Sequence, residues 1–294
     1  VLRPLVFLLL PLVAFSAPDD SALKEAGALL ATGRLPEALA PLETLHAASP
    51  QSVEVALLLA RTYNGVGRRD QGIALLEPFV AAHPDNPQIL GLYAGQCMLR
   101  AGELGASFRA LRLARRGSAL MERAVVLAPG DISYREGLVD FYRQAPAIAG
   151  GGLEKARAHA DAIARLDPVR GAAWQASILM EEKRYADALA ACEAALAVRP
   201  DDYVALFTLG RTVSESGLRL DDGDSALRRC LAMTPKASEP SHAGVWYRIG
   251  LIAEKKGDLS AARSAYQASL EREPTFNRPA EGLARLDASA KQGG

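Results

Sequence analysis

The 294 residues divide their charge evenly, with 34 Lys+Arg against 34 Asp+Glu. No net field points to nucleic acid or to an anionic membrane. Only 6% of the residues are aromatic and Ala, Leu, Arg and Glu abound, which favours helices over strands. Three cysteines, Cys97, Cys192 and Cys230, are too few for a disulfide framework.

The first stretch differs in kind from the rest. Arg3 is followed by an uncharged apolar run from Pro4 to Phe15 and then by small residues, the pattern of a secretory signal peptide. The run is short for a bilayer span and is interrupted by Pro11. Ala14 and Ser16 suit a cut before Ala17, so residues 1–16 are expected to be removed and the mature protein exported. An uncleaved anchor or an ordinary buried helix are the other readings of this run.

Beyond the leader, Pro50, Pro84, Pro129, Pro168, Pro200, Pro235 and Pro274 each follow an apolar helical run, at intervals of 32 to 45 residues. A period that drifts only by insertion marks a stacked helical array. The first repeat, about 19–52, carries Ala26, Leu29, Gly33, Leu42 and Pro50 but has Glu25 at an apolar position, as suits an exposed terminal repeat. The second, 53–86, has Leu59, Ala60, Tyr63, Gly67, Leu76 and Phe79, with Gly72 in place of a small Ala. The third, about 87–131, is overlong, and its excess in Glu103–Leu127 reads as one long second helix. The fourth, about 132–168, is interrupted by a stretch in which Pro146 and Gly150–Gly152 forbid a helix, so a loop is expected there. The fifth and sixth occupy about 169–202 and 203–237, and a Pro- and Ser-containing linker leads to the seventh, about 243–276. Residues 277–289, apolar at Ala280, Leu283 and Leu286, read as a capping helix, and 290–294 as a disordered tail.

The seventh repeat is the clearest. Trp246, Ile249, Gly250, Gly257, Ala262, Tyr266 and Pro274 describe two antiparallel helices. Gly250 and Ala262 stand at the close approach, Gly257 at the turn, and Pro274 ends the pair. This order of residue types resembles the tetratricopeptide repeat, whose period is about 34 residues. The resemblance extends over about 19–276 and rests mainly on the second, sixth and seventh repeats. It implies an all-α, right-handed solenoid of about seven two-helix repeats with a C-terminal capping helix.

The same resemblance implies a function. In such arrays the first helices line a concave groove whose non-core positions read a protein or peptide. Here those positions are Arg61 and Asn64, Asp140 and Arg143, Phe207, Arg211 and Ser214, and Tyr247, Leu251 and Glu254. Arginine beside exposed aromatics is the composition of interface hot spots. The two-carboxylate clamp of chaperone-binding members needs Lys and Asn at set groove positions, where Gly95 and Ser177 stand, which speaks against that ligand. Trp174 fits either the core or the groove. A second candidate patch is the basic stripe Arg109, Arg112 and Arg116, with Arg115 beside it, which is either a solvated face or a docking site for an acidic or phosphate-bearing partner.

Chemistry is sparse. His46, His83, His159 and His242 fall in separate repeats, and no HExxH, CxxC, GxSxG or P-loop occurs. Gly150–Gly152 lacks the preceding strand and following Lys-Ser/Thr of a phosphate cradle; it reads as a hinge or as a partner contact through Pro146–Ile148. Cys97, Cys192 and Cys230 fall on core positions, where cysteine behaves as a small hydrophobe; a disulfide between Cys192 and Cys230, in adjacent repeats, is the alternative in an oxidising compartment. The expectation is a non-catalytic scaffold in the bacterial envelope that needs no metal or cofactor and binds neither nucleic acid nor, once cut, the membrane. The rivals are a groove-based enzyme on cell-wall or polysaccharide substrates, using Glu136 and Asp140, and a membrane-tethered assembly scaffold.

Overall fold

A computed structural model describes residues 20–236 and 239–292, with the side chains of 289–292 excepted. The leader therefore lies outside the described residues. Among those described, all regular structure is helical: fifteen α-helices and one short 3-10 turn. They fall into two compact units, divided after Pro129.

The first unit holds α1 (Asp20–Ala31), α2 (Leu35–Ala48), α3 (Val53–Gly65), α4 (Arg69–Ala82), α5 (Pro87–Glu103) and α6 (Phe108–Leu127). The second holds α7 (Ile132–Gln144), α8 (Leu153–Leu166), α9 (Pro168–Glu181), α10 (Tyr185–Val198), α11 (Tyr203–Ser216), α12 (Leu220–Leu231), α13 (His242–Lys256), α14 (Leu259–Arg272) and α15 (Asn277–Gln292). Each unit is an all-α helical-repeat solenoid: helices pair in chain order, and each pair packs on the next.

Local chemistry sets the period. After the proline that ends one repeat, a short polar residue caps the next first helix. Ser52 accepts from the Val55 amide, Asn86 from Gln88 and Ile89, Asp131 from Ser133 and Asp202 from Ala205. Such caps satisfy amides that the helix start leaves unpaired. Within a pair, the turn needs one residue in the left-handed region. Gly33, Gly67 and Gly257 supply it at φ 74°, 79° and 81°. In the fifth repeat Lys183 takes that conformation at φ 59°. The backbone bonds are the same: Arg34, Arg68, Arg184 and Asp258 donate to the carbonyls of Leu29, Tyr63, Leu179 and Ala253.

Packing then joins neighbouring repeats. In the first unit Leu42 and Leu59 share one cluster, and Leu76, Ile89 and Tyr93 another. In the second, a core from Ala176 to Ala265 runs through α9–α14. Gly72 is dictated by its neighbour: a Cβ there would stand 2.3 Å from Oε1 of the buried Gln96, whose amide donates to the Ala60 carbonyl at 2.8 Å.

Three expectations need correcting. The excess of the third repeat is not one helix from Glu103; α5 ends at Glu103, and α6 starts at Phe108 because Ser107 caps it by accepting from the Ala110 amide. Gly250 does stand at the close approach of its pair, against the Tyr266 ring of α14. In α15 the buried side is Pro279, Gly282 and Leu286, with Leu283 half-buried and Ala280 exposed. That helix also runs past Ser289 to Gln292, into the stretch expected to be disordered. The glycine insertion does form a loop, with one 3-10 turn at Ala147–Ala149 inside it. Cys97, Cys192 and Cys230 are buried free thiols.

Candidate interaction surface

Along the second unit, α7, α9, α11, α13 and α15 touch in succession, forming one wall of the stack. Its apolar side faces the second helices. Its other side carries the charged and aromatic residues that sequence reasoning selects.

Two of those residues, Arg143 and Arg211, join Arg248 in one cluster of arginines. Arg143 at the end of α7 reaches Glu181 of α9 at 3.2 Å and Asp140 at 4.0 Å, and its side chain is only 7% exposed. Burial pushes its guanidinium below the ordinary value, positive Arg211 adds to this, and Asp140, Glu181 and Glu215 oppose it. Arg211 of α11 pairs with Glu215 at 3.0 Å. Arg248 of α13 pairs with the same Glu215 at 3.1 Å and lies 5.6 Å above the Tyr247 ring centroid. It is lowered too, first by burial, with Glu215 pulling back and Arg211 adding to the depression. A guanidinium does not shed its proton in proteins, so these shifts register the cost of holding like charges together out of water.

The aromatic candidates are half-buried. Phe207 packs on the core of the second unit. Tyr247 lies against Tyr266 at 6.0 Å and edge-on to Phe276 at 5.4 Å. Leu251 packs with Leu286, and Glu254 accepts from the Tyr266 hydroxyl at 2.6 Å. Ser214 is not a surface reader: it is buried, donates to the Arg211 carbonyl at 2.8 Å and accepts from Arg248 at 3.2 Å. Arg143 is likewise a nearly buried element of the wall. Asp140 is exposed.

In the first unit, Arg61 is exposed on α3, while Asn64 accepts from Nε of Arg69 at 2.9 Å. The basic stripe on α6 is largely occupied within the unit. Arg109 pairs with Asp70 at 2.6 Å and Arg116 with Glu77 at 2.6 Å, and Arg123 continues the series to Asp85 at 2.5 Å. Residues seven apart on α6 thus meet carboxylates on α4 and just beyond it. Arg112 is exposed outside this ladder.

Glu136, half of the carboxylate pair an enzyme would need, is engaged: it accepts from Arg170 at 2.8 and 2.5 Å and from the Trp174 indole at 3.0 Å. That also places half-buried Trp174 on this wall as a donor. Among the described residues no group of three or more His, Cys, Asp and Glu could hold a metal ion, and no helix is long and apolar enough to cross a membrane. Sequence reasoning missed Glu181, Glu215, Arg248 and Arg170. An Arg followed four residues later by Glu, as at Arg211 and Glu215, is a legible helical pair; the sharing of Glu215 across helices is not.

Two stretches match the tetratricopeptide repeat family, residues 29–104 and residues 243–276. A search of curated proteins gives no match. Among solved structures, a tetratricopeptide repeat protein from Parabacteroides merdae shares the fold at TM-score 0.65 and 13% identity, over 91% of this chain and 98% of that one. The APC/C hetero-tetramer Cut9–Hcn1 is similar at TM-score 0.58 and 16% identity, over 93% of this chain and 50% of the matched one. PilW, a type IV pilus biogenesis factor, is similar at TM-score 0.52 and 17% identity, over 79% and 99%. These identities support the fold alone.

Proposed function

We propose that this chain, two stretches of which match the tetratricopeptide repeat family, is a non-catalytic interaction scaffold, exported to the bacterial envelope, that holds another protein or peptide on its first-helix wall. The observation that carries this reading is the wall of the second unit, where Arg248 stands over half-buried Tyr247 and Phe207 lies half-buried on the neighbouring α11. Aromatic and arginine side chains on a rigid surface are what interfaces use as anchors. Stacked repeats bury their faces against neighbours and leave such a wall free along its length. Export rests on the leader pattern, with cleavage before Ala17.

The test is a crosslinked pull-down from the native host, comparing wild type with an Arg211→Glu, Tyr247→Ala variant of unchanged helicity. A partner held by the wild type and lost by the variant is expected. Identical partners with both would refute binding at this wall. Mass spectrometry of the native N-terminus tests export: a start at Ala17 is expected, and retention of residues 1–16 would refute cleavage.

A further inference from the structure

The first unit holds a histidine whose protonation its packing opposes. His46 lies in the last turn of α2 and is half-buried. Its Nδ1 is sealed from water and meets no hydrogen-bond partner. The ring stands 6.5 Å from that of Phe79 on α4, which in turn stacks on His83 at 6.3 Å. Phe79 is buried in the core that joins α3, α4 and α5. One core ring is thus flanked by two histidines.

A neutral imidazole suits this site. With its proton on Nε2 it leaves only a bare lone pair inside. The charged ring carries a proton on both nitrogens and would bury an N–H that has no acceptor. Two influences favour the charge. The carbonyl end of α2 attracts a cation, and so does an aromatic face, but only within about 6 Å of its centre; Phe79 lies farther off. The charged residues at this end of the unit, Asp20 and Lys24 of α1, Glu43 of α2, Glu54 of α3 and Glu77 of α4, leave His46 unmoved. Burial alone moves it, and holds it below the ordinary histidine value. His83 is the titratable group that faces it across the Phe79 ring.

The unfolded chain therefore takes up the proton first, near the ordinary value of about 6.5. Stability falls from there downward, until the folded histidine titrates as well. At pH 5.5 the loss reaches up to about tenfold in the opening equilibrium.

We propose that His46 is an acid-sensitive latch of the first unit. In mildly acid surroundings it takes up a proton, the last turn of α2 swings out to hydrate Nδ1, and α2 leaves Phe79 and its seat on α3. The latch is independent of the wall on the second unit.

The experiment is amide hydrogen exchange on the full chain at pH 7.5 and 5.5, with rates corrected for the intrinsic effect of pH. Ordinary carboxylates titrate at about pH 4, and Asp70 is held lower still by its hydrogen bonds to Arg100, so this window isolates histidine. In the wild type, α2 and the residues of α3 and α4 packed on it are expected to exchange faster at pH 5.5 by up to about tenfold. His46→Gln should lose this response and His83→Gln should keep it. His46→Leu guards against a packing defect: it has no ring nitrogen, suits the apolar side of the site, and should be as protected at pH 7.5 as the wild type while also losing the acid response. Wild-type protection that is the same at both pH values overturns the proposal. So does an acid response that survives in both His46 variants, or one that vanishes in His83→Gln alone. An acid response spread evenly over both units also overturns it, since that is general acid destabilisation.

Discussion

Replacing Gly250 by Ala should destabilise the second unit, and the size of the effect follows from Tyr266. A Cβ at Gly250 would lie 2.4 and 2.5 Å from two carbons of that ring. Carbon atoms prefer about 3.5–4.0 Å, so the ring would have to retreat by about 1 Å. It has nowhere to go. The opposite edge lies against Gly282, where a Cβ would stand 2.7 Å away, and the hydroxyl donates to Glu254 at 2.6 Å. Overpacking of a core costs about 1–3 kcal/mol, and this confined ring belongs at the upper end. Helix propensity returns about 1 kcal/mol on Gly→Ala. The balance is a loss of about 2 kcal/mol. Both tryptophans, Trp174 and Trp246, lie in the second unit, so their fluorescence reports its unfolding alone. With a urea slope in the usual range of about 1–3 kcal/mol/M, the midpoint should fall by roughly 1 M. Gly244→Ala is the control, since its nearest neighbour would be 4.0 Å away; it should be neutral or mildly stabilising. A Gly250→Ala midpoint at or above wild type would refute the close-approach argument.

Two further outcomes follow from the turns and the ion pairs. Lys183→Gly should stabilise the second unit by about 0.5–1 kcal/mol. It relieves a left-handed backbone that costs an L-residue about 1–2 kcal/mol, less the unfolded-state freedom glycine adds; a lowered urea midpoint would refute it. Asp70 is held below the usual carboxylate range by its hydrogen bonds to Arg100, with burial opposing and Arg109 assisting. A folded value below the unfolded one gives stability that is present above the ordinary carboxylate pKa and is lost as pH falls through the folded value. Circular dichroism melts at neutral and acid pH should therefore show a smaller acid loss for Asp70→Asn than for wild type. The difference is small and salt-sensitive, because the carboxylate is half-exposed; an equal acid loss in both proteins would refute the pairing.

The chain's own sequence determined the repeat. Proline followed by a short polar cap, glycine at the turn and apolar residues at helical spacing are local signals, each acting within a few residues of itself. They were enough to predict helix pairs and the family resemblance, and to select Arg211, Phe207 and Tyr247 for the wall. Local signals also mislead. Pro41 and Pro78 lie inside α2 and α4 without ending them, because packing against the neighbouring helices outweighs the lost backbone bond. Lys183 adopts a turn conformation that its side chain disfavours, for the same reason.

Tertiary structure alone decided which charges are spent. Nothing near Arg109 or Arg116 in sequence announces Asp70 or Glu77, which lie 39 residues away in each case. Arg211, Arg248 and Glu215 likewise become one cluster only when α11 and α13 pack together. A helix writes its apolar stripe into its own residues, but the partner of a surface charge belongs to the next repeat. The stacking that makes each unit a solenoid is also what turns a scatter of arginines into a ladder on one unit and a shared-carboxylate cluster on the other.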